Sequence, residues 1–384
     1  MRIITIGFIC ILVLSDLCAQ NAGTPGTVSE PTNAPPAEPS VISPVIHRDR
    51  TVTLNVFAPK ASEVILGGQW PPAKMVKGAS NIWSATIGPL EPDIYTYRFW
   101  VDGLGIPDPR NEWVDVVHPG RMPWVRSVVE IPGDPPRLWE DQPVTHGTVH
   151  EQKYFSKSLG VWRHLQVYTP PDYEKSPDRF PVLYLLHGGL GPNWISLGQA
   201  HFIADNLLAQ GKAKPMIIVM PDLFWYLGLP EQDRRKMISR LGDGFIEDFL
   251  KDIIPMVESS YRVSANRESR AIVGNSMGAR YSFRLGLMHR ELFAWVGGMS
   301  GGFMQSKEVD LFLPDSNSNL RLLWFSCGTE EPYIKTARQC SAALKAKNIP
   351  HQLVEAPGGH AFENDRRRLG EFLPLLFTEA QAEK

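Results

Sequence analysis

The sequence predicts an α/β fold, a mainly parallel central sheet covered by helices, preceded by a small all-β sandwich. Three observations predict it. From Gly147 onward, short apolar runs alternate with amphipathic stretches, the pattern of strands and helices taken in turn. Before that point, Val41 to about Gly133 carries short alternating strands, with turn signals roughly every ten residues. Within the second region, the apolar strand Arg270-Ala271-Ile272-Val273 runs into Gly274-Asn275-Ser276-Met277-Gly278 and then a helical stretch, Ala279 to His289.

The elements follow in chain order. Met1-Arg2, the apolar stretch Ile3 to Leu14 and the small residue at Ala19 predict a secretory signal peptide over 1–19, too short in its apolar run to span a bilayer. Lipid attachment at Cys18 is the alternative, but Asp16 and Leu17 fit such a site poorly. Residues 20–40 are rich in Pro, Thr, Ser, Ala and Gly and are expected to form a flexible linker. Residues 41–133 form the sandwich, with strands at Val52–Phe57, Glu63–Leu66, Trp83–Ile87 and Ile94–Gly103. Its tryptophans (Trp70, Trp83, Trp100, Trp113, Trp124) suggest a sugar platform, but packing in the core or at the domain boundary is the more economical reading.

Residues 134–384 form the α/β domain. Its strands are expected at His164–Tyr168, Val182–Leu186, Met216–Met220, Ala271–Val273, Trp295–Met299, Leu322–Phe325 and Gln352–Val354. Phe245 to Tyr261 reads as an amphipathic helix kinked at Pro255. A disulfide between Cys327 and Cys340 is an alternative in an oxidising compartment, but buried free thiols are the expected state.

A strand, a glycine-flanked serine and a helix make the nucleophile elbow of α/β-hydrolases. The glycines leave room for neighbouring strand and helix around a strained turn. The triad of that fold runs Ser, then Asp or Glu, then His. His351 opens a strand, whereas His360 follows one, in Pro357-Gly358-Gly359-His360. Open α/β sheets build sites at the carboxyl ends of their strands, so His360 is the expected base and His351 a structural residue. The acid should follow Arg321–Ser326, where Glu330 and Glu331 compete. Pro332 restricts the backbone of Glu331 and favours that residue. The oxyanion hole takes one N–H from Met277. The other comes from the loop His187-Gly188-Gly189-Leu190-Gly191, where Gly189 and Leu190 both remain candidates. His187 is read as an anchor of that loop. Phe224, Trp225 and Tyr226 follow a strand at its carboxyl end and are expected to meet substrate, with a structural lid as the competing reading.

With these residues in place, the chain resembles the esterase D-like α/β-hydrolases, and among them the feruloyl and acetylxylan carbohydrate esterases. The matching phrases are Arg163 to Tyr173, Phe180 to Gly189, Gly211 to Pro221, Gly274 to Gly278, Cys327 to Glu331 and Gly358-Gly359-His360. Tyr95 to Phe99, Val101-Asp102-Gly103 and Asp108-Pro109 resemble the early-set immunoglobulin-like module that precedes such esterases. The resemblance implies a Ser276–His360–Glu331 triad working through an acyl-enzyme. Two departures stand out. The family usually has Asp where Glu331 stands, and Ala361-Phe362-Glu363-Asn364-Asp365 replaces a tryptophan-rich segment.

The composition, 43% hydrophobic and 21% charged over 384 residues with net charge -2, is that of a globular chain and points to neither nucleic acid nor an anionic membrane surface. No metal-binding motif or cofactor fingerprint occurs, so no cofactor is expected. The expected partner is an acylated polysaccharide or oligosaccharide, with the mature protein secreted or periplasmic and free of the membrane. A siderophore esterase, an acyltransferase to a sugar acceptor and a carbohydrate-binding protein with an inactive hydrolase domain are the competing readings.

Overall fold

The computed structural model describes residues 39–117, 124–224, 232, 241–313 and 319–378. The signal-peptide segment and nearly all of the expected linker lie outside these residues. Strands β1 (Val45–Ile46), β2 (Val52–Phe57), β3 (Val64–Gly68), β4 (Ala73–Lys74), β5 (Val76–Lys77), β6 (Ile82–Ile87), β7 (Ile94–Val101), β8 (Leu104–Ile106), β9 (Val114–Val117) and β10 (Trp124–Glu130) build two antiparallel sheets. One has the order β1-β2-β6-β5; the other runs β4-β3-β7-β10-β9, with β8 on β7. Strand β2 shows why: Val52, Leu54 and Val56 are buried while the residues between them are half-buried. They meet Val64, Leu66, Tyr97, Phe99 and Val129 of the other sheet in one apolar core.

The strongest alternating runs among the expected strands recur within a residue or two. The two- and three-residue edge strands are too short to show alternation, and β9–β10 escape sequence reading because charges are paired across them: Arg126 stands opposite Asp115 and bonds it at 2.5 Å. The tryptophans mostly pack. Trp83 is buried, Trp70 lies against Tyr95 and Tyr97, and Trp113 donates from Nε1 to the Ser196 carbonyl of the α/β region. Trp100 is 41% exposed.

The second region is one eight-stranded sheet. Its strands are β11 (Thr148–Ser156), β12 (Val161–Thr169), β13 (Val182–Leu186), β14 (Ile217–Pro221), β15 (Arg270–Gly274), β16 (Trp295–Met299), β17 (Leu322–Gly328) and β18 (Gln352–Ala356). Their order is β11-β12-β14-β13-β15-β16-β17-β18. The pairs β11–β12 and β12–β14 are antiparallel, and every later pair is parallel. Strand β11 is absent from the sequence expectation because an edge strand keeps polar residues toward solvent and reads as loop.

Helices cover both faces: α1 (Ala200–Ala209), α2 (Leu241–Asp248), α3 (Ile254–Ser260), α4 (Met277–Met288), α5 (Ser306–Phe312), α6 (Ile334–Ala346) and α7 (Phe362–Phe372). Successive residues of the central strands therefore enter opposite cores. Tyr184, Leu186, Val219 and Ile272 belong to one apolar cluster, and Leu183, Leu185, Ile218 and Val273 to the other. The irregularity expected at Pro255 lies before it. Phe249–Ile253 forms a π turn, and Pro255 sits in the first turn of α3, where its missing N–H costs little. Cys327 and Cys340 are buried free thiols. Among the described residues no helix is long and apolar enough to cross a membrane.

The sandwich is packed onto the α/β region rather than hung from it. Ile94 and Val128 join the apolar cluster that holds Leu369 and Phe372 of α7. Beside them, Asp93 accepts from Arg366 and Arg367 of α7, and Arg366 Nε donates to the Leu197 carbonyl. Arg366 is 2% exposed, so removing it leaves the buried Asp93 carboxylate with only the half-exposed Arg367 as a charged partner. Arg366→Ala is expected to lower the free energy of unfolding by about 3–5 kcal/mol, while Arg367→Ala, at the half-exposed partner, costs about 1 kcal/mol or less; chemical denaturation of both variants measures the difference.

Candidate active site

Four loops at the carboxyl ends of the parallel strands converge. The first is the elbow after β15. Ser276 has φ 51° and ψ -110°, a conformation that costs roughly 1–3 kcal/mol and holds its side chain clear of the turn. Its N–H donates to the Met299 carbonyl at 2.7 Å, tying the elbow to β16. The flanking glycines are required by contact. A Cβ on Gly278 would stand 2.4 Å from the Leu186 carbonyl oxygen, and one on Gly274 2.5 Å from the Gly278 carbonyl carbon. Met277 opens α4, so its N–H lies at the positive end of the helix.

The second loop follows β13. His187 is buried, and its Nε2 accepts the Leu223 N–H at 2.7 Å. Nδ1 therefore carries the hydrogen and donates to the Gly188 carbonyl. The ring is committed to holding this loop against the turn after β14. Gly189 and Leu190, both candidate oxyanion donors, line the cavity in front of Ser276.

The third and fourth loops follow β17 and β18. Gly328 and Gly358 come so close that a Cβ on Gly328 would lie 2.1 Å from the Gly358 carbonyl oxygen. Between these loops, Glu331 Oε2 accepts from His360 Nδ1 at 3.1 Å, while Oε1 accepts the Gly328 N–H at 2.8 Å. Glu331 is buried, and Glu330 is exposed and turned away. With Nδ1–H engaged by the carboxylate, the His360 Nε2 lone pair is free for a proton. The Glu331 hydrogen bond holds the His360 pKa above the ordinary imidazole value, against burial, which lowers it. His351 lies elsewhere: it stacks on Phe325 and bonds Ser341 and the Ile349 carbonyl.

Ser276 and His360 line one cavity of about 280 Å³, together with Gly188, Gly189, Leu190, Asn193, Asn275, Ala361, Phe362 and Asp365. They share it without a hydrogen bond between them. Of the three expected aromatics, the structure describes Phe224 and places it away from the cavity. Phe224 is 7% exposed, lies edge-on to His187 with ring centroids 5.1 Å apart, and is absent from the cavity lining. The turn turns it inward, because its own N–H donates to Asp222 Oδ1. Trp225 and Tyr226 lie outside the described residues.

Two residues of the site have no place in the sequence reading. Asn275, buried beside Ser276, donates from Nδ2 to Asp365 Oδ2 at 2.8 Å. Asp365, on α7, also accepts from Ser300 Oγ. Burial pushes the Asp365 carboxyl up to about 7, against the hydrogen bonds from Ser300 and Asn275. In sequence Asp365 resembles an ordinary acidic residue in a helix's first turn; its position five residues after a loop histidine was the available signal.

The order and direction of the sheet strands, with a strand, a glycine-flanked serine turn and a helix at β15, are those of an α/β-hydrolase. The Esterase family model matches residues 156–374, and the chain belongs to that family. An endo-1,4-beta-xylanase/feruloyl esterase of Xylanibacter ruminicola is 28% identical over 91% of this chain and 47% of its own length. An esterase of Mycobacterium tuberculosis is 25% identical over 63% of this chain and 59% of its own. The chain thus spans about half the length of the curated relatives it matches. Among solved structures, a CE1 ferulic acid esterase of Anaeromyces mucronatus in complex with ferulic acid is 26% identical over 62% of this chain and 93% of its own, with TM-score 0.52. The enterobactin esterase of Shigella flexneri, at 19% identity and TM-score 0.61, covers 84% of this chain and 92% of its own and shares the fold.

Glu331→Gln is expected to lower the His360 pKa, read from its imidazole resonances in an NMR titration. Because the native pKa is raised, the stabilisation linked to it is fully present below the unfolded value of about 6.5 and is lost as pH rises through the native value. The stability gap between wild type and Glu331→Gln should therefore be widest at mildly acidic pH and narrow toward alkaline pH.

Proposed function

We propose that this protein is a serine carboxylesterase that removes feruloyl or acetyl groups from plant cell-wall polysaccharide. The observation that carries the chemistry is the His360–Glu331 hydrogen bond, which leaves the far imidazole nitrogen free in the cavity that also holds Ser276. The substrate reading is supported by the xylanase/feruloyl esterase relative and by the ferulic acid esterase structure at 26% identity. Export of the mature protein, proposed from residues 1–19, suits a polymeric substrate outside the cell.

In this reading Ser276 Oγ attacks the ester carbonyl carbon while His360 Nε2 takes its proton. Serine–imidazole bonds are commonly loose without substrate and tighten when it is bound. Glu331 keeps the reactive tautomer and stabilises the imidazolium that forms. The oxyanion accepts from the Met277 N–H and from an N–H of the Gly189–Leu190 segment, each worth roughly 3–4 kcal/mol of barrier. His360 then protonates the departing sugar oxygen. Water, deprotonated by the same nitrogen, attacks the acyl carbon and frees the acid and Ser276.

The cavity volume of about 280 Å³ suits an acyl group rather than a sugar chain, so the polysaccharide would remain outside with only its ester inserted. The test is a substrate panel of methyl ferulate, acetylated xylan, 4-nitrophenyl acetate and a trilactone siderophore. Wild type should hydrolyse a cell-wall ester best, and Ser276→Ala should reduce kcat by roughly 10⁴–10⁶-fold. Preference for the siderophore would replace the substrate assignment. Absence of turnover on every ester, with Ser276 unlabelled by a fluorophosphonate, would remove the enzyme assignment.

A further inference from the structure

Asp365 is a buried carboxyl that the proposed triad does not use, yet it lines the same cavity as Ser276 and His360. Its two oxygens accept from two different loops. Oδ2 takes the Asn275 amide, one residue before the nucleophile, and Oδ1 takes the Ser300 hydroxyl, one residue after β16. Asp365 itself stands on α7, which begins two residues after His360. One side chain thus ties the elbow, the β16 loop and the His360 segment together. Asn275 and Ser300 are each nearly solvent-free, so these bonds have no water competing for them.

We propose that Asp365 is a positioning residue of this site, a second carboxylate that staples the loops bearing Ser276 and His360 and whose negative charge favours the imidazolium form of His360. The proposal rests on the esterase reading for its catalytic consequence. The groups interacting with Asp365 are Glu331 and Cys327 from β17 and its loop, His360 from the β18 loop, Ser300 and Asn275. Glu331 opposes ionisation of Asp365, whereas His360, when protonated, and the two neutral donors favour it. Cys327 stays a thiol, since burial holds its pKa at about 12. Asp365 and His360 therefore titrate as a pair: a charged Asp365 holds the proton on His360, and a proton on His360 favours the charged Asp365. In the transition state His360 carries the serine's proton, so the same charge lowers the barrier once Asp365 is ionised.

The experiment compares wild type with Asp365→Asn, which removes the charge with little change of shape. It follows kcat and kcat/KM for 4-nitrophenyl acetate from pH 5 to 9, with thermal unfolding as a check on the fold. The acid limb of kcat/KM should move to lower pH by about half a unit or more, and kcat on the alkaline plateau should fall severalfold. Profiles of Asp365→Asn and wild type that superimpose would overturn the proposal. Should Asp365→Asn not fold, Ser300→Ala provides the second arm. Losing that donor makes Asp365 harder to ionise, and the acid limb should again move down; an unmoved limb overturns the proposal. The His360 imidazole titration by NMR reads the same coupling without turnover. If no ester is hydrolysed by wild type, the esterase reading fails, while a lower His360 pKa in Asp365→Asn still supports the pair and an unchanged one refutes it.

Discussion

The structure depends on one tight crossing, where the backbone of the Ser276 elbow passes against the end of β13. Leu186 contributes a carbonyl that accepts the Asn275 N–H at 3.2 Å and leaves no space for a side chain at residue 278. That contact keeps a non-glycine residue in a backbone conformation it would otherwise leave. It also sets the height of the serine relative to the glycine loop that follows the same strand. Every other part of the site is placed with respect to these two neighbouring strand ends.

The parallel sheet makes such a crossing durable. Each central strand is buried on both sides, so a shift in register would move apolar side chains out of two cores at once. Strands that cannot slide hold their carboxyl-end loops at fixed spacing, and Glu331, His360 and Ser276 arrive after β17, β18 and β15 in that frame. The glycines at 328 and 358 let the Glu331 and His360 loops meet closely enough for a hydrogen bond between those side chains. The longer reach of Glu, where the resembling family usually has Asp, is absorbed because Glu331 folds back to accept from Gly328 as well as from His360.

Helix α7 connects the site to the rest of the molecule. Consecutive residues face opposite ways: Asp365 looks into the cavity and Arg366 into the seam with the sandwich. The β domain is therefore braced against the helix that begins just after His360.

Much of this was legible in the chain. The G-x-S-x-G phrase after an apolar strand, the late histidine in a glycine loop and the paired glutamates are local signals, each tied to one strand end. Alternating and continuous apolar runs likewise reported which strands have one buried face and which have two. What sequence could not reveal depends on neighbours far along the chain. Strand β11 is polar because it is an edge, and its pairing with β12 is what makes it a strand. Phe224 reads as an exposed aromatic until His187, many residues earlier, is seen to receive it. Asp365 reads as a surface acid in a first helical turn, because nothing local discloses the Asn275 amide and Ser300 hydroxyl that meet it. Periodicity and motif determined the fold class and singled out the candidate residues, since these rest on short-range backbone rules. Burial and long-range hydrogen bonding, which exist only once distant segments pack, decided which acid faces the imidazole, which aromatic is structural and which carboxyl is held inside the cavity.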